Sequence, residues 1–485
     1  MRKLITIVLL ALCMPIMAGI HTYTDQSKLA DGKWVKIRVS ESGVCRMSFS
    51  EIESAGLNPQ QLRVFGYGGA LLEQNFQKEK IDDLPQVPVY VGSDYVLFYV
   101  QGTISWTYNG SRFAHTRNTY TDYGYYFLTD NVGSLLAPVE SAEIEGTPTD
   151  VTTYLNNQVH DLDSINLIDR TGVSGGGRTF YGEQFLANQS RTFTFNTPNA
   201  IAGEQNTVRI EMAAYSSNAS YFSASINGSE NESVYIRPYP DFYTMGCTGT
   251  ISTKKEVKAD KQTIRLTLQN SAASALGWLN FIEITTPTTL KMTGNQMPIR
   301  TNVNYQTDVP VKFHLSGATE NTQIWDVTKL GAIRRMKTNY AGGEMTWIGT
   351  QKDGIHEYVA VNPQGSEWVK AEVVGNVANQ NLHALKNIDY VIICPEGYED
   401  VSTDLAKAHE EKEAITWAVV TDQQVYNEFS SGTPDATAYR WLMKMLYDRA
   451  DGNGIAKPRW LLLMGHGSFD NRKLLRNSGT ALLLT

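Results

Sequence analysis

Tyr390-Val-Ile-Ile-Cys394 begins the stretch that decides the fold. After it the pattern runs helix (Asp400 to Ala414), strand (Ile415 to Thr421), helix (Pro434 to Arg449) and strand (Trp460 to Met464). It then reaches Gly465-His466-Gly467-Ser468-Phe469-Asp470-Asn471-Arg472. Short apolar runs alternating with helical patterns imply βαβ units and a parallel sheet, whose active sites lie beyond the carboxyl ends of the strands. That places His466 where chemistry can happen and makes it the candidate catalytic residue. Thr433-Pro434-Asp435 predicts the start of the second helix, with Thr433 as cap, Pro434 in the first turn and Asp435 complementing the dipole. Ala438, Trp441, Leu442, Met445 and Arg449 recur at intervals of three and four, one buried stripe with a basic end. Asp451-Gly-Asn-Gly454 stops this helix. It is no calcium loop, because Ile455, Ala456 and Leu462 stand where an oxygen ligand, a glycine and the distal Glu are needed. Asp470 can either hold a cation or cap the turn that follows it.

Upstream the pattern is β. Gly32 to Val39 alternates as a half-buried strand does. Ser48 to Gly56 predicts a short helix with a serine cap and a glycine stop. Leu62 to Gly69 is a strand running into a glycine turn, Val87 to Tyr99 is further strand, and the Tyr-rich Asn118 to Leu128 predicts a packed aromatic face. Between Val151 and Pro287, Thr207 to Ala213, Tyr221 to Ile226, Gln262 to Leu268 and Trp278 to Ile284 keep a period of two. Asn227-Gly228 supplies a type I′ turn, and together these features are a β-sandwich signature. Gly172 to Arg178 is glycine-rich but lacks the Lys-Ser/Thr pair and the flanking strand and helix of a phosphate loop, so it is a turn. Thr288 to Ala384, with Ile324-Trp-Asp-Val-Thr328, continues in β. The expected division is 1–18 leader, 19–150 β-rich domain, 151–287 β-sandwich, 288–385 β-rich segment and 386–485 α/β domain.

The 485 residues, 42% of them hydrophobic, suffice for several cores. With 42 Lys+Arg against 50 Asp+Glu the net charge is −8, which excludes a nucleic-acid partner for want of a basic surface. Met1-Arg2-Lys3, the apolar Leu4 to Met17 and the small Ala18 form a secretory signal peptide, cut after Ala18, and predict export to the cell surface or beyond. Cys13 follows Leu12 rather than a small residue, unlike a lipoprotein signal. Cys45, Cys247 and Cys394 are too far apart for a CxxC pair and are expected to be small buried hydrophobes. Cys394 ends a strand among apolar neighbours, with Pro395 next, and is expected to be inert. His115, His160 and His409 form no HxxxH or HxH pair, so neither zinc nor any cofactor is expected. Trp106, Trp347 and Trp368 could stack on sugars where exposed, although core packing is the commoner role of Trp.

Val425-Tyr-Asn-Glu-Phe-Ser-Ser-Gly-Thr-Pro-Asp435, Lys444-Met-Leu-Tyr-Asp-Arg449 and Trp460 to Arg472 together resemble the opening of the peptidase domain of the gingipain-type cysteine peptidases. Gly32 to Val39, Val64-Phe-Gly-Tyr-Gly-Gly69, Asn118-Thr-Tyr120, Gly124 to Leu128 and Trp278 to Ile284 resemble the N-terminal β region of sortase-type members of that family, which serve the type IX secretion system. The resemblance implies a mainly β fold, with a β-sandwich-like N-terminal region followed by an incomplete α/β caspase-like (gingipain-type) domain. It implies a Cys thiolate that attacks a scissile carbonyl, a His that passes the proton to the leaving amine, and backbone N–H donors for the oxyanion. It further implies cleavage of C-terminal secretion signals and transfer of cargo to anionic lipopolysaccharide. The partners would be cargo proteins with such signals and outer-membrane components of the secretion system. His466 imitates the family's catalytic Gly-His-Gly, but Ser468 to Arg472 matches an earlier strand end. The resemblance therefore puts the catalytic His and Cys beyond Thr485 and predicts that this chain alone is inactive. A different class stays open at this point: a secreted β-sandwich binding or adhesin protein without catalysis.

Overall fold

The computed structural model describes residues 21–167, 179–239, 246–450, 457–475 and 482–484. The signal peptide, the Gly172 to Arg178 turn and the Asp451 to Gly454 stop lie outside the described residues.

Trp34–Val39 sits inside a five-stranded sheet, flanked by Glu372–Val377 and Gly124–Thr129, with Arg63–Phe65 and Gln86–Val87 beyond. Its alternation predicts a half-buried strand, yet Trp34, Val35, Lys36, Ile37 and Val39 are all buried. Both faces are covered. Val35, Ile37 and Val39 enter one core, Trp34 packs edge-on to Phe65 in another, and Lys36 is capped by the C-terminal segment. The first core also takes in Trp325, Val327, Val359 and Val361. The 19–150 and 288–385 segments therefore share one core.

The short helix Phe49–Ser54 follows from its cap. Ser48 Oγ accepts from Glu51 N at 3.3 Å and Glu51 Oε2 from Ser48 N at 2.7 Å, a reciprocal capping box. Two antiparallel sheets form the sandwich. One orders Thr153–Asp161, Leu276–Thr289, Gln205–Tyr215 and Cys247–Glu256, and the other Ser190–Asn196, Lys261–Gln269, Ser220–Ile226 and Glu232–Ile236. Val208, Ile210 and Met212 meet Phe222, Ile264 and Leu266 between them. Asn227 and Gly228 take φ of 54° and 72°, and Ser229 N donates to Ile226 O at 2.9 Å, so the predicted type I′ turn forms. In the third core Phe313 stacks on Trp347 with ring centroids 4.7 Å apart. Trp347 is only 2% exposed and offers no platform to a sugar.

The C-terminal segment is the parallel sheet the opening stretch predicts. Tyr390–Cys394 is central, paired in parallel with Trp417–Thr421 on one side and Trp460–Leu463 on the other. Helices Glu399–Glu413 and Thr437–Ala450 correspond to the two predicted ones. A third, Asp422–Phe429, has no counterpart in the sequence pattern. Its last five residues, Val425 to Phe429, are all buried, including Asn427 and Glu428, so it shows no polar face from which a period could be read. Its own cap is local: Thr421 Oγ1 accepts from Gln424 N at 3.1 Å and Gln424 Oε1 from Thr421 N at 2.9 Å. Thr433 is not the cap of the next helix, which starts at Thr437, because its hydroxyl is spent on the β region instead.

Candidate functional site

The carboxyl ends of the three parallel strands carry Cys394 with Glu396, Thr421 with Asp422, and Met464 with His466. His466 lies just past the third strand, where the sequence puts it. It is exposed, and its backbone carbonyl accepts from Leu482 N at 2.9 Å and Leu483 N at 3.2 Å. Its imidazole makes no hydrogen bond among the described residues, and no thiol is presented to it. Cys394 is fully buried, its Sγ donating to Val420 O at 3.7 Å, and burial pushes the thiol up. Cys45 and Cys247 are also buried and free, and burial raises the Cys45 thiol. A thiol held neutral in an apolar shell is a poor nucleophile, so the described residues bring together no nucleophile and base. Asp422 differs: burial, reinforced by the nearby Glu396 charge, pushes its carboxyl up to about 6. A group titrating near neutrality at this edge is suited to proton transfer. Asp470 caps the turn after His466, accepting from Leu474 N at 2.9 Å and Leu475 N at 2.8 Å. The same turn is tied to the rest of the chain by buried Arg472, which pairs with Asp122 at 2.9 Å and with Asp163.

The sheet's position is set by the Ser431-Gly-Thr-Pro-Asp435 loop, which docks on the Gly66 to Leu72 loop of the β region. Ser431 Oγ accepts from Tyr67 N at 2.8 Å and Gly68 N at 3.3 Å and donates to Tyr125 O at 2.9 Å. Thr433 Oγ1 donates to Gly68 O at 2.9 Å, and Asp435 accepts from Leu72 N at 3.0 Å. Gly68 has a φ of 77°, and a Cβ there would stand 2.2 Å from Gln101 O, so only glycine fits. Lys36 reaches across from its strand to Asn427 Oδ1 at 3.0 Å, with its ammonium 4.7 Å from the Tyr125 ring centroid. Burial brings its amine down to about 8.

Sequence reasoning missed His383. Its fully buried imidazole lies between Glu428 Oε2 at 2.6 Å and Asp82 Oδ1 at 3.2 Å, stacked 4.8 Å from the Phe429 ring. Burial alone would lower its pKa, but hydrogen bonds to Asp82 and Glu428 win and raise it to about 9. His115 is held the same way between Glu283 at 2.7 Å and Asp161 at 3.1 Å. His160 pairs with Glu183 and the exposed His409 with Glu413. All four imidazoles are engaged by carboxylates. No signal in the sequence marks His383, since its partners lie 45 and 301 positions away.

Residues 383–485 match the model of Peptidase family C25. The crystal structure of dimeric latent PorU from Porphyromonas gingivalis superposes with a TM-score of 0.84 at 29% identity, covering 97% of this chain and 45% of that one. This chain thus spans less than half the length of that protein. A family 35 carbohydrate-binding module from an environmental isolate (TM-score 0.20, 15% identity, 28% of this chain and 97% of that one) overlaps only in part and carries no argument. The same holds for a family 36 module in complex with calcium and xylotriose (TM-score 0.17, 16% identity, 28% and 99%). Comparison with curated protein sequences returns no match. The chain has the fold of PorU over nearly its whole length, and its residues 383–485 carry the sequence pattern of the gingipain family, peptidase family C25.

Proposed function

We propose that this chain is the scaffold of a gingipain-type cysteine peptidase that works as a type IX secretion sortase, cleaving C-terminal secretion signals and transferring the exported cargo to anionic lipopolysaccharide at the outer-membrane surface. One observation carries this reading: the likeness to latent PorU extends over 97% of the chain, so it includes the whole β region as well as the C25 segment. A degradative peptidase of the same family would need to share only the latter.

In this reading a thiolate attacks the scissile carbonyl, the amine of the signal peptide leaves with a proton from the catalytic His, and an acceptor amine then attacks the thioester and frees the thiolate. The role of the described residues is support. The Ser431 to Asp435 loop and the Arg472 pairs hold the carboxyl edge of the sheet against the β region, and Asp422 and His466 line that edge. Cys394 takes no part, since a buried neutral thiol cannot attack. Cargo proteins and outer-membrane components of the secretion system are the proposed partners. Deleting the gene in its host is expected to leave exported cargo with uncleaved C-terminal signals. Fully processed, surface-attached cargo in the deletion strain would refute the reading.

A further inference from the structure

A cleft of about 820 Å³ opens in the β region, lined by residues 40–43, 103–106, 157–159, 294–298 and 367–369 and by no residue of the 383–485 segment. Two of the three tryptophans singled out in the sequence, Trp106 and Trp368, are half-buried and lie on it. Both rings are held in place. Trp368 Nε1 donates to Gly365 O at 3.0 Å, and the Trp106 ring lies 5.9 Å from that of His115, itself fixed by Glu283 and Asp161. The Trp106 indole N–H has no partner among the described residues.

The polar lining is incompletely used. Asn157 donates to Thr285 Oγ1 at 2.9 Å, while its buried carbonyl oxygen has no partner. Arg300, only 9% exposed, pairs with Glu357 through Nη2, while its buried Nε has none. Those two atoms sit behind the wall, each with under 1 Å² accessible; the polar groups that face the cleft are the unpartnered Trp106 N–H and the half-buried Glu357 carboxylate. The charges on the lining are Glu41, Glu357 and Glu367 against Arg300, which disfavours phosphate or any other strong anion.

We propose that this cleft binds a neutral oligosaccharide. The C–H faces of pyranose rings pack on the two indoles, and their hydroxyls meet the Trp106 N–H and the Glu357 carboxylate. The proposal is independent of the peptidase reading. An extended peptide added to one of the open strand edges on the cleft, such as Ile104–Tyr108, is the competing occupant, and the decapeptide arm of the test separates it from a sugar.

The test is calorimetric titration of the full chain with cellotetraose, maltotetraose and mannotetraose, with tryptophan fluorescence in parallel. At least one is expected to bind with a Kd of about 1 mM or tighter. Trp106→Ala and Trp368→Ala should each weaken it about tenfold, and Trp106→Phe should restore most of the loss. Ser105→Arg fills the cleft without removing a packed side chain and should abolish binding, which covers the case of an alanine variant that does not fold. Failure of all three sugars to bind overturns the proposal. So does binding unchanged by Ser105→Arg, and so does quenching by an extended decapeptide but by no sugar.

Discussion

The imidazole of His383 lies 2.6 Å from the carboxylate of Glu428, and neither side chain is accessible to solvent. Asp82 closes the other side of the ring at 3.2 Å, so one buried cation fastens the 66–85 stretch of the β region to the helix Asp422–Phe429. A buried charge is tolerable only when paired, and here the pairing spans a junction between two parts of the fold.

This clamp predicts a pH dependence. Because the folded-state pKa is raised from 6.5 to about 9, its contribution is complete below 6.5 and disappears as the pH rises through about 9. The shift corresponds to something on the order of 3 kcal/mol. His383→Gln should therefore lower the melting temperature strongly at pH 6 and little at pH 10, as read by thermal unfolding across that range. An equal loss at both ends would show that His383 acts by shape alone.

Ser431→Ala removes an acceptor from two buried backbone N–H groups and a donor from Tyr125 O. The expected cost is about 2–3 kcal/mol, since the orphaned groups stay buried. Limited proteolysis should then release the 383–485 segment sooner than in the parent chain. Gly432→Ala should behave alike, because φ there is 75° and the new Cβ would stand 2.7 Å from Lys36 Cε.

The purified chain is expected to show no turnover of a peptide bearing a C-terminal secretion signal. Its three described thiols should react with a maleimide only on unfolding, since Cys45, Cys247 and Cys394 are all buried. Fast labelling of native Cys394, or signal cleavage abolished by Cys394→Ser, would overturn this.

Trp460–Leu463 forms the edge of its sheet, and Trp460, Leu461 and Leu463 are 42%, 40% and 37% exposed. An edge strand with so little cover opens easily. Its amides should exchange with deuterium well before those of Leu276–Thr289, which has strands on both sides. Equal protection in the two strands would contradict this.

Features whose cause is local are legible in the linear order of residues. The Ser48–Glu51 cap and the Asn227–Gly228 turn depend on neighbours a few positions away, the three parallel strands show as apolar runs within their own segments, and each forms where the pattern puts it. The position of His466 past the third strand belongs with them. Folding in three dimensions settled the rest. Lys36 looks like the solvent side of a strand until Asn427, 391 positions on, covers it. The helix Asp422–Phe429 hides because Asn427 and Glu428 are buried by partners that no period announces. Periodicity records which face a segment would bury by itself. The pairing of buried polar groups depends on which distant segment arrives, and that is a property of the packed chain alone.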